Sequence, residues 1–517
     1  MSDETDVQSG ARLMESTLPN ALILDGAGLS VAALTEAARQ RPRIRLSDDA
    51  KERIAASRAL VDDAVRDGRP LYGVTTGLGA RANEALPSET LAQFSYDTLR
   101  GRAHAIGVPL PRDTVRAAMI VRLNGFATGA VGVSPAVAEH LAACLTADLT
   151  PVIGSIGTIG ASDLVLGATM GRALIGEGRL STPEGERVAS EALLTAGIEP
   201  PKLGTRDGLA LANHSSFSAA LAAMAAHRGV IAYQAAQRAA ALSLEVFRAN
   251  LSAFDPDLLN IRPQAGQAAA ARELSDLLAG SALRQTGEAR RLQDPISIRC
   301  LPQIHGAARA AFDRLIGDVE TEINGASDNP VVLVETGATL SGGGFHTPML
   351  TLSTETAARS LAFMAMAQVA RIKALLTERL TGLSQFLETA DGPSNGYAPM
   401  LKVAEALAAE VSHAGGPTPI WPSLNADGIE DGLTNAALAA QNLERALAAL
   451  MRLTALELLV GATGFELRAP DSPSPESVTT VQEVRRASPA PSADRSISHE
   501  VEALAELISR GAFSVHA

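Results

Sequence analysis

Cysteine is scarce in this chain, with only Cys144 and Cys300 among 517 residues. Two cysteines so far apart in sequence cannot form a disulfide framework or a CxxC metal site. The nine histidines are scattered and show no HExxH or comparable ligand spacing. We therefore expect no metal, and we interpret both cysteines as buried thiols.

Aromatic residues are also few, at 3% of the chain against 46% apolar residues. The core must then be built from Ala, Leu, Val and Ile, which suits closely packed helices. Basic clusters interleaved with aromatic residues are missing and the net charge is −13, which argues against nucleic acid as a partner. We expect that no apolar run reaches the length needed to span a bilayer, and residues 1–20 are acidic and polar without a signal-peptide core. We expect a soluble, cytoplasmic protein that does not enter membranes.

Apolar residues recur at helical spacing through most of the chain, around much of each helix circumference. A strand at 22–25 is expected before a helix at 31–39 capped by Ser30, and Ser47 is expected to cap a helix that runs to Arg66. Helices resume between 88 and 149 after a Gly- and Thr-rich loop at 68–83. The Pro- and Ser-rich segment 462–495 is expected to be extended. The later helices are expected at 215–249, 263–278, 302–324, 353–380, 400–413, 434–461 and 498–509.

Residues 154–164 form a Gly-rich loop, GSIGTIGASDL, ahead of an apolar run. If the amide nitrogen of Asp163 attacked the carbonyl carbon of Ala161 and Ser162 lost water, a methylidene-imidazolone (MIO) would form. Such a ring is an electrophile that ordinary side chains do not provide, and it serves chemistry in which an amine is captured and expelled. The alternative is an ordinary Gly-rich loop before a helix.

Together with YGVTTG at 72–77, QDPISIRC at 293–300, SDNP at 327–330 and GGFH at 343–346, this loop resembles the aromatic amino acid lyase family. That family contains histidine, phenylalanine and tyrosine ammonia-lyases and the related aminomutases. The resemblance implies an all-α fold like that of the fumarase and aspartase lyases, with Gly-rich active-site loops, and a homotetramer. The polar residues 1–20 are expected to be a mobile arm. The helical pattern predicts an N-terminal helical domain with the electrophile loop at 21–214 and a central helical bundle with a C-terminal helix at 215–517.

The resemblance also implies roles for individual residues. Tyr72 matches the base that removes the β-proton, and positive charge near a buried phenol would favour that role. Asn213 matches an amide beside the electrophile and Glu430 an acid near the substrate amine. Catalytic residues are thus expected to be Tyr72, Ala161, Ser162, Asp163, Asn213 and Glu430. Each of these could instead be merely structural.

Substrate-binding residues follow from the same resemblance. Arg299 matches the guanidinium that holds the substrate carboxylate in a bidentate pair, and His104 matches the position that selects the substrate ring. Together, His104 and His214 predict a polar aromatic substrate, so phenylalanine is expected to be a poor substrate. The expected set is His104, His214, Gln293, Ile296, Arg299 and Phe345.

The chain departs from the family pattern at its reaction centre. The family has Ala-Ser-Gly followed by Asp, whereas Ala161-Ser162 is followed directly by Asp163. Either Asp163 replaces the glycine, or the register moves to residues 158–160, which contain no serine. A β-carbon at the attacking residue adds steric cost. Three family positions also differ: Ile296 replaces a second catalytic tyrosine, His214 a glycine and Gly344 an asparagine.

The leading hypothesis is a carbon–nitrogen lyase that eliminates ammonia or an amine from an aromatic or histidine-like α-amino acid and yields an α,β-unsaturated acid. The cofactor would be an MIO from Ala161-Ser162-Asp163, or none. Three alternatives remain: an MIO-free lyase that acts on a betaine, a 2,3-aminomutase, and a catalytically silent homologue that binds ligands or serves as a scaffold.

Overall fold

A computed structural model describes residues 20–389, 394–491 and 494–514. The arm predicted at 1–20 therefore lies outside the described residues except for Asn20. Helices dominate the described chain, as the sequence predicts, and the strands are short. The α-helices are α1 Val31–Gln40, α2 Asp48–Arg66, α3 Leu91–Arg100, α4 Arg112–Ala127, α5 Pro135–Thr146, α6 Leu164–Leu174, α7 Ala189–Thr195, α8 Asp207–Ala212, α9 Ser216–Phe247, α10 Pro256–Asn260, α11 Gln267–Leu277, α12 Ile296–Arg299, α13 Leu301–Ile323, α14 Pro348–Leu375, α15 Glu378–Thr381, α16 Met400–Ala414, α17 Ala436–Arg468, α18 Pro475–Ala487 and α19 Ser498–Ser509.

The strands pair in four small sheets. Strands β1 and β2 are parallel, whereas β3 with β5, β4 with β6 and β7, and β8 with β9 are antiparallel. These strands are β1 Ala21–Leu24, β2 Arg43–Leu46, β3 Ile106–Pro109, β4 Thr150–Pro151, β5 Gly154–Ile156, β6 Arg179–Thr182, β7 Gly185–Val188, β8 Val331–Leu333 and β9 Ala338–Leu340.

Local capping explains where the first helices begin. The side chain of Ser30 accepts a hydrogen bond from the amide of Ala33, and that of Ser47 accepts one from Ala50. Each cap satisfies an amide that has no partner inside its helix. Both predicted caps, the first strand and the C-terminal helix are confirmed.

The prediction of extended chain over 462–495 is wrong. Helix α17 continues to Arg468, and α18 occupies Pro475–Ala487 within the Pro-rich segment. Pro475 is the first residue of α18 and Ser474 caps it by accepting from the amide of Ser477. Proline is compatible with the first turn of a helix because that amide has no intrahelical acceptor.

Two compact units divide the described residues. Within the described ranges, the first unit draws on 20–224, Ile316–Leu352 and Thr418–Ala440, and the second on Ala225–Leu315, 353–389, 394–417, 441–491 and 494–514. The units therefore combine distant parts of the chain, and the predicted domain boundary at 214 and 215 stays a prediction.

Each unit has its own interior. In the first unit, α4 is buried from Thr114 to Ala127, which includes two arginines. In the second unit, Arg371 and Glu457 form a fully buried ion pair with N···O 2.6 Å. Helix α17 is long and apolar enough to cross a membrane by length and composition, contrary to the expectation that no such run exists, but 89% of its apolar window is buried inside the protein.

Candidate active site

The Gly-rich loop between β5 and α6 is held by two segments from distant parts of the first unit. The carbonyl of Ile159 accepts hydrogen bonds from the amides of Thr434 and Asn435, both at 3.0 Å. The Thr434 hydroxyl donates to the Gly160 carbonyl at 3.1 Å, and Ala161 forms a β-bridge with His346. The loop is therefore fixed by tertiary contacts and not by its own sequence alone.

Ser162 has an unusual backbone conformation for a residue with a side chain. Its φ is +69°, in the left-handed region that favours glycine. Its amide donates to the Phe345 carbonyl at 3.4 Å, while its hydroxyl is buried and has no hydrogen-bond partner among the described residues. Ser162 therefore combines a glycine-like conformation with an unpaired buried hydroxyl.

Asp163 is the N-cap residue of α6 and is fully buried. Its amide donates to the His214 carbonyl at 2.6 Å. Its carboxylate accepts from the hydroxyls of Thr158 at 2.8 Å and Ser218 at 2.7 Å, and from the Ser218 amide at 2.7 Å. Burial raises the pKa of Asp163 and these hydrogen bonds oppose the rise. Both its backbone and its side chain are thus committed to structural contacts.

His214 is likewise enclosed in the first unit. One ring nitrogen, Nε2, lies 3.1 Å from the Leu211 carbonyl, and Nδ1 accepts from the Ser216 amide at 3.2 Å. These contacts assign the hydrogen to Nε2. Burial, and secondarily the charge of Arg122, hold the pKa of His214 well below 6.5, so the ring is neutral. The predicted substrate-binding role stays a prediction, and no ring nitrogen is left for a ligand.

Tyr72 lies in the loop that follows α2. The amides of Val74, Thr75 and Thr76 all donate to the Leu71 carbonyl, which coils the loop tightly. The half-buried Tyr72 hydroxyl accepts from the Gly79 amide at 3.1 Å. This phenol is therefore oriented by the backbone and remains partly accessible.

Glu430 follows a turn in which its amide donates to the Asn425 carbonyl at 3.1 Å. Burial raises the pKa of its carboxyl, and the positive charge of Arg102 opposes the rise. Arg102 itself is half-buried, and burial lowers its pKa while Tyr72 and Glu430 raise it. The structure thus brings together Tyr72, Arg102 and Glu430. Arg102 could not be identified from the sequence, because its only distinguishing feature there is its position two residues before His104.

Asn213 caps the end of α8, and its side-chain amide donates to the Asn329 carbonyl at 3.3 Å. Asp328, the residue before Asn329, is fully buried between two arginines. Its oxygens lie 2.7 Å and 2.8 Å from the guanidinium of Arg122 and 2.9 Å from that of Arg206. Burial lowers the pKa of Arg206 to about 10, and Asp328 opposes that shift. The SDNP segment is therefore anchored by a buried ionic network.

Two other predicted residues of the first unit differ in exposure. Phe345 is half-buried, and its carbonyl contacts the loop at Ser162. His104 is exposed, and its Nε2 lies 3.0 Å from the Gly101 carbonyl. Phe345 is thus joined to the loop, whereas His104 faces solvent on the turn after α3.

The remaining predicted residues belong to the second unit. Gln293 is exposed and Ile296, the first residue of α12, is 62% exposed. Arg299 ends that helix, is half-buried, and has a buried Nε without a hydrogen-bond partner among the described residues. An unpaired nitrogen of this kind suits an anion. Over the described ranges, no group of three His, Cys, Asp or Glu side chains is placed to hold a metal ion.

Comparisons with known proteins match nearly the whole chain. A family model described as aromatic amino acid lyase covers residues 29–486. Histidine ammonia-lyase from Anaeromyxobacter dehalogenans is 32% identical over 505 residues, which are 96% of this chain and 99% of that protein.

Solved structures with similar folds include several kinds of enzyme. Ergothionase from Treponema denticola, an ergothioneine degrading enzyme in complex with desmethyl-ergothioneine sulfonic acid, has TM-score 0.91 and 26% identity, covering 95% of this chain and 99% of that chain. Tyrosine aminomutase from Streptomyces globisporus has TM-score 0.90 and 28% identity, covering 95% and 97%. Histidine ammonia-lyase from Trypanosoma cruzi has TM-score 0.88 and 29% identity, covering 95% and 94%. The chain therefore belongs to the aromatic amino acid lyase family, and it is a helical carbon–nitrogen lyase with the fumarase-like architecture of that family.

Proposed function

We propose that this enzyme eliminates a tertiary amine from the betaine of a histidine-like amino acid, without an MIO. The observation that carries the proposal is the left-handed backbone of Ser162, at φ +69°. This conformation marks residue 162 as a glycine position. Since Asp163, directly after it, is the N-cap residue of α6, we match Ser162 and Asp163 to the Gly and Asp of the family pattern.

This register places Ala161 where the family has the serine that is dehydrated. Family members generally use an MIO, but alanine has no hydroxyl to eliminate. The register in which Asp163 replaces the glycine would require the Asp163 nitrogen to attack the Ala161 carbonyl carbon. That nitrogen donates to the His214 carbonyl at 2.6 Å, and the buried Asp163 carboxylate would have to leave its three hydrogen bonds. The residues present therefore do not fit the group.

A substrate with a good leaving group needs no such electrophile. A trimethylammonium group departs as neutral trimethylamine and carries away the electron pair of its bond to Cα. A base takes the β-proton, the C–H electrons form the Cα=Cβ bond, and an α,β-unsaturated acid results. The likeness to the ergothioneine degrading enzyme supports a betaine with an imidazole-type side chain, because ergothioneine is such a betaine.

Four residues of the first unit are proposed for these steps. Tyr72 is proposed as the base, because its half-buried hydroxyl already accepts the Gly79 amide at 3.1 Å and can accept a proton when ionised. Glu430 and the half-buried ring of Phe345 supply a carboxylate and an aromatic face, both of which attract quaternary ammonium. Asn213 is proposed to position polar groups of the substrate.

Arg299 of the second unit is proposed to bind the substrate carboxylate. Its buried Nε without a described partner supports this role. Gln293 and Ile296 are proposed as further substrate contacts. His104 is proposed at the ring-selecting position, and His214 as a neutral support of the Asp163 loop.

The test combines intact-protein mass with turnover. We expect the wild-type mass to equal that of the encoded chain, whereas ring formation would remove two waters, about 36 Da. We expect release of trimethylamine and a rise in ultraviolet absorbance with histidine betaine or ergothioneine, and much slower turnover of histidine, tyrosine and phenylalanine.

Ser162→Gly is the matched variant, because it removes the hydroxyl and suits the left-handed backbone. We expect it to retain activity. A wild-type mass about 36 Da below that of the encoded chain, abolished in Ser162→Gly together with turnover, would refute the MIO-free mechanism. Recovery of a β-amino acid would instead indicate an aminomutase, and thermal stabilisation without turnover would indicate the silent homologue.

The resemblance further supports a cytoplasmic homotetramer. Exposed apolar side chains of the second unit, Phe363 at 51% and Met366 at 57% on α14, provide a surface that association would cover.

A further inference from the structure

Arg102 lies on the turn after α3, in the first unit. Its amide donates to the Leu99 carbonyl at 3.4 Å, and its own carbonyl accepts from the His104 amide at 2.9 Å. The side chain is half-buried. Tyr72 and Glu430 act on its guanidinium electrostatically, so the two proposed site residues are its neighbours.

The guanidinium has neither a hydrogen bond nor an ion pair with any described residue. Two fully buried arginines of the same unit are different: Arg122 and Arg206 both donate to Asp328 and to backbone carbonyls. Partial desolvation without a partner is unfavourable for a cation, and an anionic ligand would compensate it. Glu430 contributes a favourable charge but lies beyond ion-pair distance.

The position of Arg102 indicates which part of a ligand it meets. It lies near Tyr72, the proposed base for the β-carbon, and its carbonyl fixes His104, which family resemblance places at the substrate ring. The α-carboxylate is already assigned to Arg299. What remains for Arg102 is a group on the side-chain ring beyond the β-carbon.

We propose that Arg102 is a specificity-determining residue that binds an acidic substituent on the substrate ring, such as a thiolate or a phenolate. The inference rests on the proposed betaine elimination and names the ring chemistry that this site selects. The planar guanidinium can donate two hydrogen bonds to such a group, which a neutral ring does not accept equally well.

Arg102→Leu and Arg102→Lys test the inference with paired substrates. Ergothioneine is compared with histidine betaine, and tyrosine betaine with phenylalanine betaine, so that thiolate and phenolate are distinguished. We expect Arg102→Leu to lower kcat/KM by about a hundredfold for the acidic member of the favoured pair and by less than about threefold for its neutral partner. Arg102→Lys should recover part of the loss. Arg100→Leu, which removes an exposed arginine paired with Glu177 at the end of the same helix, is the control and should leave both rates unchanged.

Equal losses of kcat/KM for both members of each pair would overturn the inference. They would indicate that Arg102 acts on the catalytic base or on the substrate carboxylate, which both members share. If the wild-type enzyme turned over none of the betaines, the proposed function would fail instead. Calorimetric binding of the two unsaturated acids, thiol-imidazole acrylate and imidazole acrylate, would then decide the inference. Preference for the thiol form that disappears in Arg102→Leu supports it, and no preference overturns it. Circular dichroism confirms that each variant is folded.

Discussion

At the residue scale, Glu430 has the clearest consequence for activity. Burial raises its carboxyl pKa above the ordinary 4.5, while the neighbouring charge of Arg102 limits the rise. A carboxylate is useful near a substrate cation only when ionised. Because the group binds its proton more tightly in the folded state, its contribution to stability is present at low pH and is lost as pH rises through the raised pKa.

We expect kcat/KM to fall as pH falls through the pKa of Glu430, with the midpoint of this acid limb above 4.5. Glu430→Gln should remove the limb and lower kcat/KM at neutral pH by about ten- to a hundredfold. Asp431→Asn, at the exposed neighbouring carboxylate, is the control. An unchanged acid limb in Glu430→Gln would rule out Glu430 as the titrating group.

Single residues also show what a sequence pattern leaves open. His214 is an ionisable side chain beside Asn213, and its type alone allows either a neutral or a charged ring. In the fold both its nitrogens are engaged and burial keeps it neutral. Exposure and neighbours, which sequence does not contain, decide whether a histidine titrates.

At the scale of elements, the segment that contains Asp328 is fixed by charge rather than by apolar packing. Asp328 is the shared partner of Arg122 on α4 and Arg206, the residue before α8. All three side chains are buried. Removing the Asp328 carboxylate leaves two buried guanidinium cations without their partner. The resulting loss of stability is larger than the net stabilisation that an intact buried pair provides.

Asp328→Asn should therefore destabilise the protein by about 3–5 kcal/mol, seen as a lower urea midpoint, and should reduce activity because Asn213 binds the Asn329 carbonyl. Glu506→Gln removes one side of an exposed pair with Arg510 on α19 and should change stability by less than about 1 kcal/mol. Similar midpoints for the two variants would contradict a central role of the network.

At the scale of the whole molecule, assembly is the property to test. Phe363 and Met366 share one stretch of α14, and both are about half exposed. Monomeric proteins rarely expose a contiguous apolar patch without a purpose. Beside them in the same unit, α16 contributes the small side chains Ala408 and Ala409 to a shallow surface groove.

We expect the wild-type protein to elute as four chains by size-exclusion chromatography with light scattering, and Phe363→Glu to dissociate it, because the charge would be buried in the contact. Thr479→Glu places the same charge at an exposed site on α18 and should leave the assembly intact. A wild-type monomer would refute the tetramer. A tetramer in both variants would show that the surface around Phe363 and Met366 is not a contact between chains.

The local pattern of the sequence determined much of the fold. Ser30 and Ser47 cap the helices where predicted, since a cap depends on atoms within three residues. The helical period of apolar residues also predicted the long helices. The prediction of extended chain at 462–495 was wrong because the proline content was interpreted as a sign of non-helical structure. Pro475 instead begins a helix after the Ser474 cap.

By itself, the sequence determined the helical fold class, the family and the residue types of the site, because these depend on composition, periodicity and motif spacing. Tertiary structure alone decided the state of those residues. The left-handed backbone of Ser162 depends on a loop held by Phe345 and Thr434, and the environment of Arg102 depends on Glu430, far away in the chain. Contacts between distant segments fix conformation, burial and charge environment, and no local pattern records which segments will meet.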